Sequence, residues 1–88
     1  MKIVYTLHAL EKFKELELEG WLIKKSKITS TIGNPKWKGL TKENQETALS
    51  LVDPKHIIRV VFERKKGGII KVITFHLGKR GRYESTLR

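Results

Sequence analysis

Cysteine is absent from the chain, which excludes disulfide bonds and thiolate metal sites. The three histidines, His8, His56 and His76, have no histidine or acidic partner at the spacing of a metal-ligand pair, so we predict no metal site. No glycine-rich loop follows a predicted strand and opens a helix, so we expect no cofactor. Any chemistry is therefore expected to come from the side chains themselves.

Long apolar runs and acidic residues are also scarce. No run approaches membrane-spanning length and the N-terminus lacks a signal-peptide pattern, so we expect a cytoplasmic protein without a membrane partner. Nineteen lysine and arginine residues stand against nine aspartate and glutamate residues, a formal charge of +10. That excess on 88 residues, interpreted as a single domain over 1–88, favours a polyanionic partner, either nucleic acid or an acidic protein.

The most strongly patterned stretch, from Ile57 to Leu77, predicts a β-hairpin around Gly67-Gly68. A turn of two or four residues puts the same residues on each face, because side chains alternate along a strand. An odd-length turn would mix apolar and polar residues and is rejected. The predicted core face carries only apolar residues: Ile58, Val60, Phe62, Ile69, Ile73, Phe75 and Leu77. The second face holds three polar residues among four apolar ones: Arg59, Thr74 and His76 among Ile57, Val61, Ile70 and Val72.

A two-residue turn would pair Phe62 with Ile73 and Val60 with Phe75. The segments before the hairpin predict a strand, two helices and a loop. These are an edge strand from Lys2 to Tyr5, a helix from Leu7 to about Leu18 with Thr6 as its N-cap, a second helix roughly from Leu22 to Ile32, and a loop from Lys36 to Asn44.

The segment from Gln45 to Val52 fits either a helix or a strand. We choose the strand because its parity agrees with the hairpin. A four-residue turn then pairs Leu51 with Ile58 and places Ser50 beside Arg59. The predicted fold is α+β in the order β-α-α-β-β-β, an antiparallel meander sheet with two helices packed on one face.

The polar residues of the second face suit chemistry on a phosphate. RNA can be cut without a metal when a base activates the 2′-hydroxyl, a cation stabilises the phosphorane charge and an acid protonates the leaving oxygen. Arginine donates bidentately to phosphate, and histidine titrates near neutrality. Arg59, Thr74 and His76 are predicted to lie together. His8 could join them only if the first helix starts beside the sheet edge.

Five short motifs occur in an order that resembles the RelE/BrnT-like toxin superfamily, and most closely a family of small domains of unknown function within it. They are Thr6-x-His8-Ala9 at the helix start, Asn34-Pro35 after the second helix, Arg59-Val60-Val61 and Val72-Ile73-Thr74 on strands, and Arg82-Tyr83 near the end. The resemblance covers nearly the whole chain, from about Val4 to Tyr83.

The resemblance implies a RelE-like toxin-type domain with two helices on one side of the sheet and RNA on the other. Such proteins are metal-independent endoribonucleases, often acting on ribosome-bound messenger RNA, and an acidic antitoxin neutralises them. By motif position the implied catalytic residues are His8, Arg59, Thr74 and Arg82. RNA contacts are expected from His76, Tyr83 and the basic residues of the hairpin turn and the tail, which are Arg64, Lys65, Lys66, Lys79 and Arg80.

Several alternatives remain open. Arg59 could have a purely structural role, as the cation of an ion pair with Glu46 or Glu63. The same basic face could bind nucleic acid without cutting it, or its apolar residues could dock an acidic partner. Trp37, which has a lysine on either side, could stack on a base, although an anchored loop is the more common explanation for such a residue.

Overall fold

The computed structural model describes residues 2–81, and this part of the chain folds into an α+β arrangement of two helices and a five-stranded mixed sheet. Neither helix is long and apolar enough to cross a membrane. The elements in chain order are β1 (Lys2–Tyr5), α1 (Leu7–Leu18), α2 (Lys25–Gly33), β2 (Trp37–Leu40), β3 (Glu46–Asp53), β4 (His56–Lys65) and β5 (Ile69–Lys79), with a 3-10 turn at Lys66–Gly68.

The described strands lie in the order β1-β5-β4-β3-β2. Strands β2 to β5 are antiparallel neighbours, whereas β1 runs parallel to β5. The predicted purely antiparallel meander is therefore wrong at the β1 edge. A tight turn can join only antiparallel strands. The two helices that follow β1 replace such a turn and allow β1 to lie parallel to its neighbour β5.

The predicted loop from Lys36 to Asn44 is also wrong in part, because Trp37–Leu40 forms the edge strand β2. This segment is too short to show an alternating pattern, and pairing with β3 decides its conformation. The strand prediction for Gln45 to Val52 is confirmed by β3.

Helix α1 begins and ends as predicted, and its first residues are tied to β5. The Thr6 hydroxyl oxygen accepts a hydrogen bond from the Ala9 amide at 3.0 Å, as an N-cap does. The Thr6 hydroxyl also donates to the Ile73 carbonyl at 2.7 Å, and its amide donates to the Val72 carbonyl at 3.1 Å. The start of α1 therefore lies beside β5, at the point where β1 ends.

The β4–β5 hairpin has the odd-length turn that the parity argument rejected. Three residues, Lys66–Gly68, connect the paired residues Lys65 and Ile69. Gly67 and Gly68 have φ values of 77° and 72°, in the left-handed region that glycine enters without steric penalty. The turn therefore shifts the first half of β5 by one residue relative to the predicted faces.

A β-bulge at Ile73 cancels that shift. Phe62 pairs with Val72 instead of Ile73, whereas Val60 pairs with Phe75 as predicted. The prediction that Ile69 and Ile73 belong to the core is wrong, since Ile70 and Val72 take those places with exposed fractions of 2% and 0%. Beyond the bulge the predicted faces hold.

A second register shift lies in β3, between Leu51 and Asp53. Because of it Leu51 opposes Ile57 and not the predicted Ile58. Ser50 opposes Ile58 on the helix side, and its hydroxyl lies 2.7 Å from that of Thr31 in α2. The prediction that Ser50 stands beside Arg59 is therefore wrong.

The sheet has two unlike sides. One side packs under α1 and α2 to form the core cluster, with Ala9, Leu16, Ile28 and Ile32 from the helices against Ala48, Ile58, Val60, Phe62, Ile70, Val72 and Phe75 from the sheet. The other side, called the helix-free face below, contributes nothing to that cluster among the described residues. By strand register it carries Trp37, Thr47, Leu49, Leu51, Ile57, Arg59, Val61, Thr74 and His76.

Candidate functional site

Arg59 and His76 oppose each other directly on β4 and β5, near the middle of the helix-free face. Side chains of directly opposed residues leave the sheet on the same side, with Cβ atoms about 5 Å apart. Thr74 lies on the same face two residues before His76, diagonally across from Arg59, at roughly 7–8 Å. The three predicted polar residues therefore share one small surface.

Arg59 is half-buried and has no carboxylate partner within residues 2–81. Glu46 instead binds Arg64, with Oε2 2.7 Å from Nε, and Glu63 lies 3.3 Å from the Lys65 ammonium. The alternative of a structural ion pair with Glu46 or Glu63 is therefore wrong.

Apolar residues flank Arg59 along β4 and across to β3. Leu49 opposes Arg59 on β3, while Ile57 and Val61 lie two residues away on β4, and all three are 0–4% exposed. A half-buried cation in apolar surroundings is costly unless something pairs with it. Arg59 therefore offers an unneutralised charge to an anion from outside the described chain.

His76 is held in its neutral form. Burial lowers the pKa of His76 below its ordinary value of 6.5, and the positive charges of Lys12, Arg59 and His8 lower it further. No carboxylate is among the groups that shift the pKa of His76, although Lys12 itself lies 3.7 Å from Glu15 Oε2. At neutral pH the imidazole is consequently free to accept a proton or a hydrogen bond.

The Thr74 hydroxyl oxygen is buried and has no hydrogen-bond partner in the described part of the chain. An unsatisfied buried hydroxyl costs about 1–3 kcal/mol. Neither Arg59 nor His76 forms a hydrogen bond with it. Because the oxygen is covered, a ligand reaches this hydroxyl only after neighbouring side chains move.

The start of α1 brings two more basic side chains to the site. The Thr6 hydrogen bonds place His8 and Lys12 along the free edge of β5, close enough for their charges to act on His76. The condition set for His8, that its helix start beside the sheet edge, is met. Lys12 was missed by the sequence analysis, although its place four residues after His8 indicates the same side of the helix.

The basic residues predicted to contact RNA do not all share this face. Arg64 lies over the Phe62 ring on the helix side of the sheet, 5.6 Å from its centroid, and Lys79 opposes His56 on that same side. Lys65 belongs to the helix-free side, Lys66 is exposed in the turn, and Arg80 donates its amide to the Lys55 carbonyl. The predicted residues Arg82 and Tyr83 lie outside the described residues.

His56 belongs to a separate structural cluster. Its Nδ1 lies 3.0 Å from the Asp53 carboxylate, and its ring packs edge-on against Trp21 with centroids 4.7 Å apart. The hydrogen bond with His56 lowers the pKa of Asp53, and the hydrogen bond from the Lys55 amide lowers it further. This cluster secures the β3–β4 turn on the helix side, away from Arg59.

The described residues contain no group of three histidine or acidic side chains that could hold a metal ion. The site instead combines a free guanidinium, a neutral imidazole and an unpaired hydroxyl with the cationic edge of α1. Guanidinium and hydroxyl donors match the non-bridging oxygens of a phosphate, and the imidazole can take a proton from a nearby hydroxyl. Comparison of the chain with protein-family models, with curated proteins and with solved structures found no match.

Proposed function

We propose that this protein binds RNA on the helix-free face and cleaves it without a metal, as a toxin of the RelE/BrnT-like type. The observation that carries the proposal is Arg59, a half-buried arginine with no carboxylate partner among residues 2–81, directly opposite a histidine whose pKa is lowered. The formal charge of +10 supports a polyanionic substrate.

In the proposed reaction the 2′-oxygen of the RNA forms a bond to phosphorus while the bond from phosphorus to the 5′-oxygen breaks. Neutral His76 takes the proton of the 2′-hydroxyl. Arg59 balances the charge that develops on the phosphorane, and the Thr74 hydroxyl donates to a non-bridging oxygen. His8 in its protonated form returns a proton to the leaving 5′-oxygen. The products are a 2′,3′-cyclic phosphate and a 5′-hydroxyl end.

The resemblance adds Arg82 as a second phosphate ligand. His76 takes the role of proton acceptor ahead of His8 in this proposal, because burial and its cationic neighbours favour the neutral imidazole.

Purified protein incubated with RNA in EDTA tests the proposal, with free RNA in one arm and ribosome-bound messenger RNA in the other. We expect 2′,3′-cyclic phosphate ends, and a loss of rate of about 100-fold or more for Arg59→Met and for His76→Gln. Arg64→Met is the matched control, since Arg64 lies on the same strand but on the helix side. Equal cleavage by all four proteins would remove this site from the mechanism.

A non-catalytic nucleic-acid-binding protein would use the same surface. It would bind RNA with an affinity that falls steeply as salt is added, because phosphate contacts release counterions, and it would leave the RNA intact. Salt-sensitive binding without cyclic phosphate ends in either arm would favour a non-catalytic RNA-binding protein over an endoribonuclease.

We also propose that an acidic antitoxin protein is the partner. The apolar half of the helix-free face offers little docking surface, because Ile70 and Val72 lie under the helices and Ile57 and Val61 are 0% and 4% exposed. A cleft of about 470 Å³ between the helices offers apolar walls with lysines at its rim; it is lined by Leu7, Leu10, Phe13, Ile23, Lys14, Lys25 and Glu11. Co-expression with a short acidic protein from a neighbouring reading frame, followed by gel filtration, tests this pairing.

A further inference from the structure

Trp37 occupies an end of the same row of residues that contains the site. The register places Trp37 opposite Leu49, Leu49 opposite Arg59, and Arg59 opposite His76. One row of the helix-free face therefore crosses four strands, with the indole at the β2 end and the imidazole at the β5 end. At about 4.8 Å per strand, the backbone of Trp37 lies roughly 10 Å from that of Arg59 and roughly 14 Å from that of His76.

Trp37 lies outside the core cluster and stands directly opposite Leu49, which is 2% exposed. Trp37 is half-buried on an edge strand, and it is absent from the residues that pack on the core cluster in the described range. The ring contact recorded for it within residues 2–81 is with the Lys36 ammonium, 5.2 Å from the ring centroid. Trp21, by contrast, packs on the core and against the His56 ring.

We propose that Trp37 is a base-stacking residue for single-stranded RNA whose phosphate binds at Arg59 and His76, so that the RNA runs across the strands along this row. The inference rests on the proposed RNA-binding function and names the form of the substrate. Two to three strand spacings, roughly 10–14 Å of backbone separation, lie between the indole and the proposed phosphate ligands. Lys36 adds a cation beside the indole for the next phosphate.

Stacking on Trp37 requires an unpaired base. In a duplex each base is already stacked and paired, and proteins read unpaired RNA by inserting exposed bases against aromatic rings. Because every base has an aromatic face, stacking tolerates different sequences, and we infer a preference for single strands that is stronger than any preference for sequence.

The test uses the full-length chain and short 2′-O-methyl oligonucleotides, which lack the attacking hydroxyl and so are not consumed. In a Trp21→Phe variant, Trp37 is the sole tryptophan and its fluorescence reports the ring directly. Binding is measured separately by the anisotropy of a labelled oligonucleotide. We expect the single strand to quench Trp37, and the matching duplex to bind more weakly and to quench little.

Substitutions in the native background give a second readout. We expect Trp37→Leu to weaken binding about tenfold and Trp37→Phe to restore most of it, since an aromatic ring still offers a stacking surface. Leu40→Ala is the matched control, because Leu40 is a 66% exposed apolar residue on the same strand but the opposite face. Urea denaturation confirms that each variant is folded.

Three outcomes separate the two proposals. Quenching with weaker binding by Trp37→Leu supports both. RNA binding without quenching, and with no loss in Trp37→Leu, overturns the role of Trp37 and leaves the RNA-binding proposal standing. No binding of any single strand overturns both.

Discussion

Replacing Arg59 by methionine separates a functional arginine from a structural one. Methionine keeps an unbranched apolar stem against Leu49, Ile57 and Val61 and removes only the charged head. A structural ion pair broken in this way would lose about 3–5 kcal/mol, because its partner would be left buried and uncompensated. Arg59 has no such partner in the described chain, so the free energy of unfolding should stay level or rise by up to about 1 kcal/mol.

The same substitution should weaken binding. Hydrogen bonds to a charged group contribute about 1.5–3 kcal/mol each, so loss of the guanidinium should weaken oligonucleotide binding by about 10- to 100-fold. If Arg59→Met keeps or gains stability while losing affinity for the oligonucleotide, Arg59 contributes to ligand binding and not to folding.

Urea denaturation followed by circular dichroism measures the stability, and a change of about 1 kcal/mol moves the midpoint by roughly 0.5–1 M. Arg64→Met is the control on the same strand. Arg64 is 62% exposed and paired with Glu46, and an exposed pair contributes about 0.2–1 kcal/mol, so this variant should lose a little stability and little affinity. A loss of more than about 1 kcal/mol in Arg59→Met, with binding unchanged, would refute the reasoning.

Two further predictions concern the neighbours of Arg59. The folded pKa of His76 is lowered from 6.5, so its contribution to stability is fully present above pH 6.5 and is lost as pH falls towards the folded pKa. His76→Gln should therefore flatten the plot of unfolding free energy against pH in that range. An unchanged plot would count against the lowered pKa. A proton NMR titration should also show the His76 pKa rising in Lys12→Gln, since one of its cationic neighbours is removed. Thr74→Val replaces an unpaired buried hydroxyl by a methyl group of similar shape, so stability should hold or rise by about 1 kcal/mol while RNA cleavage falls; a clear loss of stability would show that the hydroxyl is satisfied.

Part of the fold could be predicted from residues close together in the sequence. Thr6 caps α1 because its side chain can reach the amide of Ala9 three residues on, and this depends on nothing beyond the first turn. The polar composition around Gly67-Gly68 likewise marks the end of β4. The strand β2 carried no such signal, because Trp37–Leu40 is too short for a pattern and is strand only through its pairing with β3.

Register was decided by contacts far apart in the chain. A one-residue shift turns every following side chain to the other face, so parity arguments fail at each bulge. The turn at Lys66–Gly68 and the bulge at Ile73 each shift β5 by one, and together they return Thr74 and His76 to the predicted face. The register shift before Asp53 has no compensating partner in β3, so Ser50 was assigned to the wrong side.

The sequence by itself determined the amphipathic first helix, its cap, the hairpin strands and the shared face of Thr74 and His76 on β5, because these follow from periods of 3.6 and 2 and from short-range hydrogen bonds. The tertiary structure put Arg59 on that face too, through the three-residue turn and the bulge that compensates it. The tertiary structure decided what that face could do. Glu46 and Glu63 are near enough in sequence and strand to have paired with Arg59, and only the folded chain gives them to Arg64 and Lys65. Glu46 leaves the sheet on the helix side, away from Arg59, and that is settled by the β3–β4 register, which the local pattern does not contain. Glu63 leaves on the same side as Arg59 but lies four residues along β4, and its carboxylate pairs with Lys65 two residues further on.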